Sequence, residues 1–163
     1  PGDMNTSRLI PGSILRSLNK EDPILYSGVA QYVREFLYVE DAADAIIKLM
    51  ENINLTKSNI YNIGSGAIHS IEKVMKMLLL ATPGQSKVRI VEKDALYKEI
   101  EEQYVDYSKM LSIVPNFSPR NLEVGLKETV IWYKKNKNNL PLPPWSKDIH
   151  IFFRNFQLEL SAS

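Results

Sequence analysis

The chain has 163 residues, of which 44% are hydrophobic, and a formal net charge of +1 at pH 7, values that suit one globular domain. The balanced charge gives no sign of a nucleic-acid or membrane partner, and no apolar run is long enough to cross a bilayer. The absence of cysteine excludes disulfides and cysteine-ligated metals and is compatible with the cytoplasm, where we expect the protein to act.

The first half of the chain alternates between helical and extended patterns after a loop-like start. The apolar periodicity predicts, in chain order, a helix over 8–18, a short strand over 23–28, a strand around Arg34, a helix over 40–52 and a short strand over 60–64. Alternation places Phe36 and Tyr38 on the same face of their strand as Arg34. The helix over 40–52 carries an apolar stripe that we expect to be buried. The stripe consists of Ala42, Ala45, Ile46, Leu49, Met50 and Ile53.

The second half continues the alternation and then changes composition. Its pattern predicts a helix capped by Ser70 and ended by Pro83–Gly84, a strand over 87–93, a short strand and a short helix within 104–114, and a last helix capped by Asn121. Alternating strands and helices indicate an α/β fold. After Asn138 the sequence "LPLPPW" predicts a proline-stiffened linker, followed by an apolar extension. We therefore divide the chain into a domain over 1–138 and a linker with its extension over 139–163.

Arg34 is the residue whose chemistry stands out most. A guanidinium presents its donors as a planar fork that matches phosphate or carboxylate, and it tolerates aromatic neighbours such as Phe36. The pattern is compatible with an anion-binding role on the strand, although surface ion pairs are the more common arrangement for an exposed arginine. The alternative is an ordinary surface ion pair with Glu35 or Asp41.

Other residues give weaker indications of chemistry. Gly64-Ser65-Gly66 begins a glycine motif, but the third glycine of a dinucleotide fingerprint would fall on His69, so we interpret the motif as a turn. Tyr133 and Lys137 match the Tyr-x-x-x-Lys spacing at a lysine-rich helix end, which we interpret as a chance match. His69 and His150 are interpreted as surface or capping residues.

Four stretches of the chain resemble, in the same order, motifs of the extended short-chain dehydrogenase/reductases that act on nucleotide sugars. They are "PGDMNTSRLIP", "PILYSGVAQYVREFLYVEDAADAI", "YNIGSG", and "YVDYSKM" with "NLEVGLKETVIWYKKN". The resemblance runs from Pro1 to about Lys137 and is closest to the NDP-sugar 4,6-dehydratases of the dTDP-glucose and CDP-glucose type, with the epimerases next. It implies that this α/β chain is the mixed carboxy-terminal substrate-binding subdomain of an extended Rossmann-type enzyme whose amino-terminal NAD-binding core is absent from it. The chain also begins inside a loop without an initiator methionine, so we expect a piece of a longer protein.

The resemblance also implies which residues bind the substrate. Arg34 matches the arginine that binds the substrate pyrophosphate, in agreement with its strand pattern. Asn5 and Arg8 fall where the family contacts the sugar nucleotide, and Leu25 and Tyr26 fall on the segment that flanks the base.

One departure from the family concerns a second arginine. The family usually has it shortly before the motif that matches Asp106 and Lys109, whereas this region reads "DALYKEIEEQ". We therefore expect either a weaker grip on the diphosphate or a substitute among Lys98, Arg89 and Arg120.

The resemblance implies the substrate-binding portion of an NAD-dependent NDP-hexose 4,6-dehydratase, in which NAD oxidises C4 of the sugar and water is then eliminated. The alternatives are an epimerase of the same family, a non-catalytic nucleotide- or partner-binding module, and an assembly domain that uses the apolar extension. NAD(P) would serve the full-length protein, with no cofactor, catalytic residue or turnover in this chain alone. The implied partners are a nucleotide-diphosphate sugar, the missing Rossmann half and further copies in a homo-oligomer, and neither nucleic acid nor membrane.

The missing half has a structural consequence. In the family the strand over 60–64 extends the Rossmann sheet, so we expect Ile60, Ile63 and part of the stripe to face water here. The apolar extension over 149–160 would cover some of this surface, and trimming after Trp145 would lower solubility.

Overall fold

A computed structural model describes residues 1–3, 5–92 and 100–140. The predicted linker and apolar extension, beyond Leu140, lie outside the described residues. The elements, in chain order, are α1 Leu9–Leu18, β1 Ile24–Tyr26, β2 Val33–Glu35, α2 Val39–Glu51, α3 Ile53–Thr56, β3 Ile68–Ser70, α4 Ile71–Ala81, β4 Arg89–Val91, β5 Glu102–Gln103, α5 Ser108–Leu111, α6 Leu122–Asn136 and a short 3-10 helix Lys137–Asn139.

The strands form two small sheets. In one, β1 and β4 are parallel, with Leu25 opposite Ile90. In the other, β2 lies between β3 and β5, antiparallel to β3 and parallel to β5. This places Arg34, in the middle of β2, opposite His69 on one side and Gln103 on the other.

The main core is made by helices α1, α4 and α6. The fully buried residues of this core are Ile14, Leu15, Leu78, Leu126, Val130 and Tyr133. Side-chain caps begin two of the helices, as predicted: Ser70 accepts from the Lys73 N–H and Asn121 accepts from the Val124 N–H. Helix α4 ends before Pro83–Gly84, also as predicted.

Two smaller clusters support the sheets. One consists of Ala45, Met110, Val114 and Phe117 and packs α5 and the residues after it against α2. The other lies beneath β1 and β2 and joins Leu25, Ile71 and Met75, with Leu9, Val29, Ala30, Tyr32, Phe36 and Val88 packed against it. We call this second group the β1–β2 cluster.

The structure corrects two strand predictions in the first half. The strand around Arg34 covers only Val33–Glu35, because its partners β3 and β5 are just three and two residues long, and α2 already begins at Val39. Residues 60–64 are not in a strand of the described chain; instead the Ile60 carbonyl accepts from the Lys109 ammonium at 3.1 Å. In the second half, the short strand predicted within 104–114 lies slightly earlier, as β5 at Glu102–Gln103.

The apolar stripe of α2 is partly exposed, which agrees with the expectation that part of it faces water and corrects the expectation that the whole stripe is buried. Only Ala45 is fully buried, whereas Ile46, Met50 and Ile53 are 49%, 64% and 54% exposed. The cluster around Ala45 also contacts Leu49, and the described residues place no element over the outer side of the helix. Ile60, which is 87% exposed, adds to the apolar surface as expected, whereas Ile63 was expected to face water but is half-buried because it packs against the cluster around Ala45. No helix within the described residues is both long and apolar enough to cross a membrane.

We predict that this exposed surface makes the 163-residue chain associate, because large contiguous apolar patches favour contacts between molecules. Replacing Ile47 and Met50, which lie on one helix face and are 54% and 64% exposed, by glutamate is expected to reduce association in sedimentation experiments. The matched control is Ile131→Glu on α6, at an exposed position away from this surface. Equal association of the Ile47/Met50 variant and the unmodified chain would contradict the prediction.

Candidate substrate-binding site

Arg34 is held firmly at the centre of the three-stranded sheet. Its Nη1 donates to the carbonyl oxygens of Val33, at 2.9 Å, and Glu101, at 3.1 Å, and its Nη2 donates to the Ile100 carbonyl at 2.6 Å. The guanidinium carbon also lies 5.7 Å from the centre of the Tyr32 ring, within the range of a cation–π contact. The guanidinium therefore has a fixed position beside residues 100–101 rather than extending freely into solvent.

The two carboxylates that could have paired with Arg34 bind other groups. Asp41 accepts from the main-chain N–H and Nε of Arg120, each at 3.0 Å. Glu35 Oε1 accepts from the N–H groups of Ser65, at 2.6 Å, and Gly66, at 2.8 Å. The Gly64-Ser65-Gly66 turn therefore does bind an anion, but that anion is the Glu35 carboxylate.

The glycines of this turn are required by close packing. A Cβ on Gly64 would lie 2.6 Å from Glu35 Oε1 and 2.8 Å from Val105 Cγ2. Gly66 has φ +72°, which glycine adopts readily, and a Cβ there would lie 2.3 Å from the Tyr107 hydroxyl. The turn thus fits the protein's own side chains, and the N–H groups of Ser65 and Gly66 are already bonded to Glu35.

Four of the five predicted substrate residues lie in the β1–β2 cluster or within two residues in sequence of one of its members. Leu25 is inside it and is 3% exposed, and Tyr26, exposed, is the next residue of β1. Arg34 lies between the cluster members Tyr32 and Phe36, and Arg8 directly precedes Leu9. Because Leu25 is buried, its contact with a base would come from the strand main chain, while Tyr26 would offer its ring.

Arg8 and the first residues of the chain line an open cleft of about 440 Å³. The Arg8 side chain is 68% exposed and pairs with Asp3 at 3.2 Å. Asn5, the fifth predicted residue, accepts from the N–H and hydroxyl of Ser7 and so shapes the turn before α1. The far wall of the cleft comes from residues 36–39 and from the first half of α6.

Arg120 occupies that far wall and was not recognised from the sequence as a structural centre. Its guanidinium lies 4.2 Å from the centre of the Tyr38 ring and pairs with Asp41, Glu40 and Glu128. Since three carboxylates already share its charge, Arg120 is a poor substitute for a second diphosphate contact. Arg89 is exposed on β4, and Lys98 lies outside the described residues.

Tyr133 and Lys137 serve the fold. The buried Tyr133 hydroxyl donates to the Asp3 carbonyl, and burial raises the pKa of this tyrosine to about 12. Lys137 Nζ donates to the Leu18 carbonyl at 3.3 Å. The two side chains therefore bind separate main-chain groups, in agreement with the interpretation of their spacing as a chance match.

His69 lies next to the site rather than on an open surface. It pairs with Arg34 across β2 and β3, and its Nδ1 is buried without a hydrogen-bond partner among the described residues. Burial, and then the nearby Lys73 ammonium, lower the pKa of His69 below its usual value. The imidazole is therefore neutral at pH 7.

Comparison with known proteins points to one family. The model of the NAD dependent epimerase/dehydratase family matches residues 1–64. A UDP-N-acetyl-alpha-D-glucosaminuronate decarboxylase from Bacillus cytotoxicus is 32% identical over 136 residues, which cover 80% of this chain and 41% of the relative. The chain is thus similar to the NAD-dependent epimerase/dehydratase family over its first 64 residues and to enzymes acting on nucleotide sugars over most of its length.

Solved structures of this family share the fold. The chain has a TM-score of 0.66 and 26% identity to a dTDP-glucose 4,6-dehydratase from Bacillus anthracis solved with NAD, covering 83% of this chain and 42% of that one. A UDP-N-acetylglucosamine 4-epimerase from Methanobrevibacter ruminantium M1, solved with UDP-N-acetylmuramic acid, gives a TM-score of 0.68 and 26% identity, covering 82% and 42%. The chain thus spans about two fifths of the length of these epimerase/dehydratase family members.

We predict that His69 makes the protein less stable in acid. Its pKa is lowered in the folded state, so below about pH 6.5, the usual histidine pKa, the unfolded chain binds a proton that the folded chain does not. Stability should therefore be unaffected by this group above that pH and should fall as the pH drops towards 5. In His69→Asn, the free energy of unfolding, measured by chemical denaturation at pH 7, 6 and 5, is expected to fall less with decreasing pH. His150→Asn is the matched control, and an identical pH profile for the His69 variant and the unmodified protein would refute the prediction.

Proposed function

We propose that this chain is the nucleotide-sugar-binding, carboxy-terminal portion of an NAD-dependent enzyme of the NDP-hexose 4,6-dehydratase type. The match of residues 1–64 to the family model supports a Rossmann-type enzyme, and the fold similarity to a dTDP-glucose 4,6-dehydratase supports this substrate class. The observation that carries the proposal is the position of Arg34, fixed in the middle of β2 and flanked by residues of the β1–β2 cluster. An epimerase of the same family is the second candidate, because the fold similarity to a UDP-N-acetylglucosamine 4-epimerase is equally high.

Arg34 would bind the diphosphate by exchanging partners. Its fork donates to the carbonyl oxygens of Glu101 and Ile100, and a phosphate oxygen forms stronger, charge-assisted bonds with a guanidinium than a carbonyl does. Arg8 would approach the ligand from the amino end of α1, since its pair with the Asp3 carboxylate is exposed and such pairs contribute about 0–1 kcal/mol. Asn5, Leu25 and Tyr26 complete the proposed binding surface.

NAD would be bound by parts of the enzyme outside this chain. The described residues offer one glycine-rich turn of the kind that approaches a pyrophosphate closely, and the Glu35 carboxylate occupies its N–H groups. Hydride removal from the sugar would therefore require the amino-terminal Rossmann half. That half is also the partner we propose for the exposed side of α2 and for Ile60, within an enzyme that forms a homo-oligomer in the cytoplasm.

We predict that Arg34→Ala in the full-length enzyme weakens nucleotide-sugar binding by about 2–4 kcal/mol, the scale for losing a charge-assisted contact with an anion. Arg34→Lys should restore only part of the affinity, because an ammonium cannot reproduce the guanidinium fork. Calorimetric titration with UDP-glucose and dTDP-glucose measures both effects. Lys76→Ala is the control, because it removes a positive charge from the exposed surface of α4. Unchanged affinity in the alanine variant would rule out the diphosphate role.

We also predict that the 163-residue chain alone neither binds NAD tightly nor turns over an NDP-sugar. The reason is that its glycine turn is filled by Glu35 and its Tyr-x-x-x-Lys pair is committed to main-chain groups. Calorimetry with NAD and a turnover assay with dTDP-glucose test this directly. Micromolar NAD binding by the chain would show that the proposed division of labour is wrong.

A further inference from the structure

Adjacent residues of β2 hold the two ends of one segment, residues 100–105. At the first end, Arg34 donates to the carbonyl oxygens of Ile100 and Glu101. At the other end, Glu35 Oε2 accepts from the Val105 N–H at 3.0 Å. Between these contacts lies β5, which contributes only two residues to its ladder with β2. So short a ladder depends on the side-chain contacts at its ends.

The Glu35 carboxylate also binds a second segment. Its Oε1 accepts from the Ser65 and Gly66 N–H groups at 2.6 and 2.8 Å. One carboxylate thus joins β2 to main chain 30 and 70 residues away in sequence. Bonds of this kind, from N–H groups to an ionised carboxylate, are about twice as strong as those between neutral groups.

Binding of a diphosphate at Arg34 would remove some of the contacts that hold this segment on β2. The guanidinium fork would turn from the carbonyls of Ile100 and Glu101 to the ligand, and one end of the segment would lose its contacts with Arg34. The backbone bond from the Val33 N–H to the Glu101 carbonyl, at 2.8 Å, would remain. The Glu35 contact at Val105 would also remain, because Glu35 projects to the opposite face of the strand from Arg34.

We propose that Glu35 is a positioning residue that keeps β5 and the 64–66 turn in register on β2 while Arg34 exchanges its carbonyl partners for the diphosphate of the substrate. The inference rests on the proposed function, in which Arg34 binds the diphosphate. It assigns to Glu35 a role that differs from general support of the fold, because the contact matters most when the ligand is bound.

The test compares Glu35→Gln with the unmodified full-length protein, using UDP and dTDP as probes. Glutamine keeps the size of the side chain, but one carboxylate oxygen is replaced by an NH2 group that only donates, so the side chain can no longer accept from both segments. We expect the dissociation constants to rise about tenfold, as for the loss of one hydrogen bond to a charged group. Glu102→Gln, which removes an exposed carboxylate from β5, is the matched control and should bind as the unmodified protein does.

Amide hydrogen exchange separates positioning from a merely structural role. In the unmodified protein, exchange at Gln103 and Val105 should stay slow when UDP or dTDP is added. In Glu35→Gln, the nucleotide should accelerate exchange at these two amides, because the contacts from Arg34 and from Glu35 are then both weakened. If Glu35→Gln does not fold, Glu35→Asp, which keeps the charge on a shorter side chain, replaces it and should show the same ligand-dependent acceleration to a smaller extent.

Each outcome has a defined meaning. Unchanged dissociation constants in the Glu35 variant, or exchange that is equally fast with and without nucleotide, would overturn the inference. Arg34→Ala is measured in parallel: if it binds UDP and dTDP normally, the proposed function itself fails. If Arg34→Ala weakens binding while Glu35→Gln does not, only the role of Glu35 is refuted.

Discussion

Hydrogen bonding of the main chain around β2 is the constraint on which the site depends. Strand β2 has only three residues, and its neighbours have three and two, so the ladders alone satisfy few of the N–H and carbonyl groups nearby. The side chains of Arg34 and Glu35 bind further main-chain groups: the arginine donates to carbonyl oxygens, and the glutamate accepts from N–H groups. A small sheet that could not persist by itself thereby becomes a defined platform.

This arrangement explains why the sequence predicted the importance of Arg34 but not its surroundings. Alternation along the strand is a local signal and marks Arg34 correctly as a residue of β2. Apart from the neighbouring Val33 carbonyl and Tyr32 ring, the partners described above for both charged side chains lie 30 to 70 residues away, and no local pattern encodes such contacts. The ion pairs expected with Glu35 and Asp41 were reasonable from proximity in sequence, yet Asp41 binds Arg120, 79 residues distant.

The same division between local and distant signals runs through the fold. Helices α4 and α6 were predicted with their caps, because Ser70 and Asn121 act on N–H groups three residues ahead. The strand predicted over 60–64 and the buried stripe of α2 required partner surfaces that local patterns cannot supply. Where the described residues provide such a partner, as for Ala45 against Met110, the apolar side chain is buried; where they do not, as for Ile46 and Ile60, it is exposed.

The class of ligand and the type of reaction depend on different groups of such enzymes. A decarboxylase, a 4,6-dehydratase and a 4-epimerase all resemble the chain to a similar degree, although the reactions in their names differ. What their names share is a nucleotide sugar, and a guanidinium fork on a short, side-chain-braced strand is suited to the diphosphate that such molecules have in common. A fork of this kind selects ligands by their charge and planar geometry. It does not determine whether the sugar later loses water, loses carbon dioxide or inverts a centre. The residues around Arg34 therefore support a class of ligand, and the choice among reactions depends on groups that act on the sugar itself.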